Sequence, residues 1–167
     1  AVMTNLLLAD EINRTSSKTQ SALLEAMEEG QVTVDGTTYR MPSPFIVLAT
    51  QNPVDFVGTY PLPEAQLDRF FMRVSIGYPS QEEEIDILER YTSGARPMEE
   101  LKPICSSQDI VKLQQQVDTV YTSREVRAYI SAIAAASRRN GALQLGVSTR
   151  AAISLLRAGQ ARALLQG

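Results

Sequence analysis

The chain contains no histidine and only one cysteine among its 167 residues. Without histidine, triads that need an imidazole base, histidine zinc sites and imidazole acid–base catalysis are all excluded. A single cysteine, Cys105, excludes an internal disulfide and a cysteine-based zinc site. We expect Cys105 to be a small buried hydrophobic residue of a protein kept in a reducing compartment. Any catalysis must therefore use carboxylates, arginines, amides or a bound metal ion.

Long apolar runs are also missing. No stretch approaches the ~18 residues that cross a bilayer, and no segment resembles a signal peptide, so we expect a cytoplasmic protein without membrane insertion. A hydrophobic fraction of 44% and a charged fraction of 21% are typical of a globular protein. The length suits one domain, or one domain with a small appendage.

The net charge of −3 conceals an asymmetry along the chain. From residue 119 onward there are seven basic residues, all arginine, and one acidic residue, Glu125. Because arginine binds phosphates and carboxylates with two parallel hydrogen bonds, nucleotide phosphates or an acidic neighbouring subunit are favoured partners. An acidic chain without interleaved aromatic residues is a poor candidate for binding nucleic acid.

The most informative pattern is a set of apolar residues followed by two carboxylates, LLLADE at residues 6–11. An apolar run without polar alternation predicts a strand buried on both faces of a parallel sheet. Asp10 and Glu11 then lie at the carboxyl edge, where open α/β sheets bind ligands. Adjacent carboxylates favour a cation or water between them, which a magnesium nucleotide supplies. A strand that runs into an acidic helix N-cap is the structural alternative.

Strands and helices are both predicted in the first half of the chain, and only helices after it. Ser17 with Gln20 predicts the start of a helix that Gly30 ends. Asp35-Gly36 predicts a two-residue hairpin that pairs Val34 with Thr37 and Val32 with Tyr39. Further strands are predicted at 45–49 and near 72–76, a short helix around 64–70, and helices beginning near Ser80, Gln108, Thr122 and Ser148 or Thr149. We therefore predict an α/β fold with domains at 1–78 and 79–167.

Four motifs occur in order along the chain: LADEINR at 8–14, ATQNP at 49–53, LPEAQLDRF at 62–70 and STR at 148–150. Together they resemble the second half of an AAA+ ATPase, and the first three are similar to the MoxR branch. The resemblance covers essentially the whole chain. It implies the C-terminal half of a parallel-sheet P-loop NTPase core at 1–78, followed by an all-helical lid domain at 79–167.

The resemblance implies a role for three residues at the two strand ends. Asp10 matches the Walker B aspartate, which holds Mg²⁺ through water, and Glu11 matches the catalytic glutamate, which polarises the attacking water. Asn52 matches sensor 1, an amide that can donate to the γ-phosphate and accept from the water. The structural alternative for Asn52 is a simple Asn-Pro turn.

Two arginines complete the implied site. Arg69 matches the arginine finger that reaches the nucleotide of the next subunit; the alternative is a surface ion pair with adjacent acids. Arg150 matches sensor 2, and its position in a first helical turn, where cations are unfavourable, favours a functional use. Related branches differ on whether this arginine contacts its own subunit's nucleotide or its neighbour's, so both possibilities stay open.

The hairpin around Asp35-Gly36 matches the pre-sensor-1 insertion, which in relatives faces a central pore and can touch the client protein. The alternative is a hairpin that covers a sheet edge. Asn13 and Arg14 belong to the motif wording, but the sequence assigns them no chemistry.

One expected motif does not occur, because no G-x-x-x-x-G-K-[ST] is present in the 167 residues. We therefore expect an internal fragment of a larger protein, which alone neither binds ATP tightly nor hydrolyses it. Exposed inner strands of such a fragment favour self-association.

The resemblance implies that the parent protein is a ring-forming ATPase, a hexamer, that uses ATP and Mg²⁺. It would couple hydrolysis to remodelling of a protein client or to maturation of a metal centre, often with a von Willebrand factor A domain partner. Two alternatives are a nucleotide-responsive scaffold that does not hydrolyse ATP and a DNA-directed motor of a related AAA+ branch.

Overall fold

The structure is a computed structural model that describes residues 3–51, 60–94 and 101–167. Asn52, the predicted sensor 1 residue, lies outside these ranges. Within them the chain forms four strands and six α-helices: β1 (Leu6–Ala9), α1 (Ser17–Glu29), β2 (Gln31–Val34), β3 (Thr37–Arg40), β4 (Ile46–Ala49), α2 (Glu64–Leu67), α3 (Gln81–Thr92), α4 (Ser107–Thr119), α5 (Arg124–Arg139) and α6 (Thr149–Gln166).

The two apolar runs form a parallel pair. β1 pairs with β4 in a register that runs from Leu6 opposite Ile46 to Ala9 opposite Ala49. Parallel pairing requires a long crossover, which α1 and the hairpin supply. Because both strands end at the same edge, the residues after Ala9 and after Ala49 become neighbours.

The pair is less buried than predicted. Leu6, Leu8, Ile46 and Leu48 are all exposed, with Leu8 at 63%. The prediction of burial on both faces is therefore wrong for this chain, because the described residues leave one face of the two strands uncovered.

The predicted strand near 72–76 is also wrong. These residues form no strand, and Val74 and Ile76 are exposed. A strand needs a neighbour that accepts and donates the ladder hydrogen bonds. The strand pairings among the described residues are β1 with β4 and β2 with β3, and neither includes this segment.

The predicted hairpin is confirmed with its register. β2 and β3 are antiparallel, with Val34 opposite Thr37 and Val32 opposite Tyr39. Asp35 and Gly36 both have positive φ, at 50° and 76°. Two successive left-handed residues match the twist of the flanking strands, which explains why Asp-Gly is favoured at this turn.

Serine side chains cap four of the helices. Ser80 and Glu83 form a capping box at the predicted helix start, and the hydrogen bond from the Ser80 backbone N–H is the main cause that lowers the pKa of the Glu83 carboxyl. Ser148 caps α6, as one of the two predicted alternatives. Two caps lie one residue from their predicted positions, since Ser16 rather than Ser17 caps α1 and Ser123 rather than Thr122 caps α5.

A small core joins the segments that carry the first three motifs. Ile12, Leu24 and Leu62 are buried together. The partly buried hydrophobic residues packed against them are Leu23, Met27, Ala49, Leu67 and Phe70. This core therefore fixes the turn after β1, helix α1 and the 62–70 segment with respect to one another.

The chain divides into two compact units, Ala1–Phe71 with Ser107–Gly167, and Met72–Ser106. In the first unit α6 packs against α4 and α5. The predicted division at residues 78 and 79 stays a prediction.

Cys105 is exposed, so its expected burial is wrong; it lies in a short segment outside the helices. No helix of the described ranges has the length and apolarity to cross a membrane.

Candidate active site

Thr50 holds the two predicted acids at the ends of β1 and β4. Its hydroxyl donates to Oδ1 of Asp10 at 2.5 Å and accepts from the backbone N–H of Glu11 at 2.8 Å. Its backbone N–H donates to the Ala9 carbonyl at 3.1 Å, and its carbonyl accepts from the Ile12 N–H at 3.0 Å. These four hydrogen bonds of Thr50 fix the Asp10 side chain and the Glu11 backbone relative to the end of β4.

Glu11 has an unusual backbone conformation. Its φ of 49° and ψ of 49° place it in the left-handed region, which costs a residue other than glycine about 1–2 kcal/mol. Such residues persist where the surrounding structure over-determines them, and they cluster at functional sites. The Glu11 carboxylate also pairs with Arg14 at 3.0 Å, which gives Arg14 a contact that the sequence did not indicate.

Asp10 suits a magnesium ion. It is an exposed carboxylate beside a hydroxyl, and Mg²⁺ prefers such oxygen ligands while it keeps several waters. In the described ranges no group of three or more histidine, cysteine, aspartate or glutamate residues could hold a metal by itself. A site with one protein carboxylate, completed by water and phosphate oxygens, does not need such a group.

The two predicted arginines meet on one carboxylate. Glu28 binds Nη1 of Arg69 through Oε2 and Nη2 of Arg150 through Oε1, the latter at 2.6 Å. Nη1 of Arg150 also lies 3.8 Å from Oδ2 of Asp68. The structure therefore brings Arg69 and Arg150 together, although they are far apart in the sequence.

Packing of α1 explains the position of Glu28. Leu24 and Met27 face the core that also contains Leu67 and Phe70. Glu28 follows Met27 on the last turn of α1, and Arg69 precedes Phe70, so the same core packing brings Glu28 and Arg69 together. Arg69 therefore forms an ion pair, but with Glu28 of α1 rather than with an acid adjacent to it in the sequence.

The start of α6 is also fixed by contacts that do not involve Glu28. The Ser148 hydroxyl accepts from the Ala151 N–H at 2.9 Å and donates to the Asp68 carboxylate, whose two oxygens lie 2.7 and 2.8 Å away. A Cβ on Gly146 would lie 2.5 Å from Cα of Arg138, so only glycine allows this close approach to α5. Arg150 in the first turn of α6 is therefore directed to Glu28 and Asp68. The negative charges of these two carboxylates offset the unfavourable interaction between the arginine cation and the positive end of the helix dipole.

Sequence reasoning missed Thr50, Glu28 and Asp68 as contributors to these contacts. Thr50 follows a predicted strand and could have been considered with the two acids, because both strand ends were expected at one edge. Glu28 gave no signal, since a glutamate on an exposed helix face is ordinary and its partners are distant in sequence. Asp68 lies in the motif at 62–70, but nothing in the sequence indicates a role for it.

Comparison with known proteins agrees with the geometry. Residues 1–72 match the family described as ATPase family associated with various cellular activities (AAA), and residues 135–167 match the AAA lid domain. The chain is 53% identical over 164 residues to the uncharacterized protein YeaC of Bacillus subtilis (strain 168), covering 98% of this chain and 51% of YeaC. It is 42% identical over 175 residues to Chaperone MoxR1 of Mycobacterium tuberculosis (strain ATCC 25618 / H37Rv), covering 99% of this chain and 46% of the chaperone.

A solved structure shows the same fold. The crystal structure of a candidate ATPase from Cytophaga hutchinsonii ATCC 33406 superposes with a TM-score of 0.89 at 41% identity, covering 99% of this chain and 52% of that one. The chain thus spans about half the length of the relatives that it matches. The predicted fold, an α/β core followed by a helical lid, is confirmed.

The left-handed backbone at Glu11 makes a prediction about stability. Replacing Glu11 with glycine removes the strain, and replacing it with glutamine keeps the strain while it weakens the pair with Arg14. We expect Glu11→Gly to be more stable than Glu11→Gln by about 1 kcal/mol in urea unfolding. A glycine variant that is less stable than the glutamine variant would show that the backbone at Glu11 is not strained.

Proposed function

Because this chain belongs to the MoxR family of AAA+ ATPases, we propose that the whole protein hydrolyses ATP with the help of Mg²⁺. The observation that carries the proposal is the placement of Asp10 and Glu11 at the carboxyl end of a parallel strand pair, both bonded to Thr50. This is the edge at which α/β sheets bind ligands. The presence of both acids favours hydrolysis over a scaffold that only binds nucleotide.

Each residue has one task in this proposal. Asp10 would hold Mg²⁺ through its water shell, and the metal ion would supply charge neutralisation for the phosphates. Glu11 accepts a hydrogen bond from the attacking water and polarises it, for which its carboxylate must stay within hydrogen-bond reach. Asn52 is proposed as the amide that senses the terminal phosphate.

Arg69 and Arg150 are proposed to act together on one nucleotide. Both bind Glu28, so a phosphate that reaches one guanidinium lies near the other. The nucleotide on which both arginines act is the one bound by the neighbouring subunit, because the arginines lie away from the acids of their own subunit. Gln20 bonds the Ile12 carbonyl beside the acids, whereas Glu28 lies about two turns further along α1, ~12 Å along its axis. The arginines therefore lie towards the end of α1 remote from their own subunit's Asp10 and Glu11.

The wider activity is proposed from the relatives. A relative named Chaperone MoxR1 supports the remodelling or maturation of protein clients, with the β2–β3 hairpin as a client contact. Action of the arginines on a neighbouring subunit requires a ring, for which we propose a hexamer, and a von Willebrand factor A domain protein is a proposed partner. Since these 167 residues contain no phosphate-binding loop, the activity is to be measured on the whole protein.

The role of Glu11 makes the first prediction on activity. We expect Glu11→Gln to lower the ATP turnover of the whole protein by about 10²–10⁴-fold, because the amide is a poor proton acceptor, while nucleotide binding is kept. The matched control is Glu29→Gln, which removes a similar exposed charge from the last turn of α1. Steady-state turnover and a nucleotide-binding titration measure the two quantities. Unchanged turnover would remove Glu11 from the mechanism.

The proposed action between subunits makes a second prediction. Glu11→Gln subunits and Arg69→Ala subunits, each inactive alone, are mixed so that they exchange within rings. A site then becomes complete when an Arg69→Ala subunit receives Arg69 from a Glu11→Gln neighbour. At equal amounts and random order we expect about a quarter of wild-type turnover to return. The same recovery is expected with Arg150→Ala.

The control for this mixing replaces the Arg69→Ala partner by the double variant Glu11→Gln/Arg69→Ala, which completes no site and should restore nothing. If subunits exchange and the single variants also restore no turnover, the arginines act within their own subunit.

A further inference from the structure

We propose that Glu28 is a positioning residue that couples Arg69 to Arg150, so that the two guanidiniums bind the transferred phosphate as one unit. The inference rests on the proposed roles of the two arginines and adds a residue that the motifs do not include. The two carboxylate oxygens of Glu28 each bind a different arginine.

The geometry leaves donors of both arginines for a phosphate. Arg69 uses Nη1 for Glu28, and its Nε is buried and cannot be reached by a phosphate, so Nη2 is the nitrogen that remains for one. Arg150 uses Nη2 for Glu28, and its Nη1 lies 3.8 Å from Asp68, longer than a hydrogen bond. A guanidinium has five N–H donors, so each arginine can keep Glu28 and still bind a phosphate oxygen.

Electrostatics explain why a carboxylate is needed at this place. Two guanidinium groups that converge on one phosphate repel each other before the phosphate arrives. The negative charge of Glu28 lies between them and offsets that repulsion, while its two oxygens fix the direction of each side chain. Because rate depends steeply on the placement of such groups, a small displacement of one arginine is costly.

The contacts of Glu28 also connect three segments. α1 supplies Glu28, the residues after α2 supply Asp68 and Arg69, and α6 supplies Ser148 and Arg150. Ser148 bonds Asp68, and Arg150 forms an ion pair with the same carboxylate at 3.8 Å, so the start of α6 is attached to the Arg69 segment at two points. A movement of α6 therefore changes the position of Arg69 and Arg150 together, with Glu28 as their common partner.

A purely structural ion pair is the competing explanation. The Glu28 side chain is 31% exposed, and pairs at such positions contribute little to stability. A structural ion pair predicts that its loss disturbs the fold around it, so that the KM for ATP and kcat both become less favourable. A positioning role predicts that kcat falls while the KM is kept, and that the loss of Glu28 matters only when the two arginines are present.

The experiment uses Glu28→Gln in the whole protein. Glutamine keeps the size but has one acceptor oxygen and no charge, so it cannot offer each arginine its own oxygen or offset their repulsion. We expect kcat to fall about ten- to a hundredfold, with the KM for ATP changed less than about twofold. In the Arg69→Ala/Arg150→Ala background, followed by single-turnover hydrolysis of radiolabelled ATP, the same substitution should change the rate less than about twofold.

Two further variants complete the test. Glu25→Gln removes a charge from the exposed face of the same helix and should leave kcat unchanged. Glu28→Asp keeps the charge and both acceptor oxygens, and should restore part of the lost kcat.

The outcomes separate this inference from the proposed function. An equal effect of Glu28→Gln with and without the two arginines, or no effect at all, overturns the positioning role while the arginine roles stand. If Arg69→Ala and Arg150→Ala leave turnover unchanged, the proposed roles of the arginines fail first, and the role of Glu28 fails with them.

Discussion

The in-register parallel pairing of β1 with β4 is the constraint on which the candidate site depends. Because Ala9 lies opposite Ala49, the next residues of the two strands meet at one edge, and the Thr50 hydroxyl can bond both Asp10 and the Glu11 backbone. A shift of one residue would separate Thr50 from the acids and would turn every side chain to the other face. The register therefore determines the chemistry available at this edge.

Helix α1 connects this edge to the arginine cluster. Near its beginning, Gln20 is buried and donates to the Ile12 carbonyl, which fixes the turn after the acids. At its end, Glu28 binds Arg69 and Arg150. The beginning of this helix thus bonds the turn that follows the acids, and its end carries the carboxylate that binds both arginines. This arrangement is consistent with the proposed ring, in which the acids of one subunit and the arginines of its neighbour would share one nucleotide.

Much of the fold could be predicted from the sequence, because the signals were local. Alternation in 31–40 and the Asp-Gly turn gave the hairpin and its register, and serine caps marked helix starts to within one residue. The strand near 72–76 failed because apolar composition cannot show whether a pairing partner is present. Burial of β1 and β4 on both faces failed for the same reason, since nothing among the described residues covers the second face.

In the candidate site, too, only the features that depend on local sequence could be predicted. The placement of Asp10 and Glu11 at the carboxyl end of a strand was predictable because both acids directly follow an apolar run. The Thr50 contact was missed, although parallel strands bring both strand ends to one edge. The meeting of Arg69 and Arg150 on Glu28 was not predictable, because it depends on the tertiary packing of α1, the 62–70 segment and α6.

The most direct test of the proposed ATPase site is a cryo-electron microscopy structure of the whole protein with Mg²⁺ and a non-hydrolysable ATP analogue. The account predicts Asp10 at the metal's water shell and Arg69 and Arg150 of the adjacent subunit on the terminal phosphate; a nucleotide bound away from Asp10 and Glu11 would contradict it.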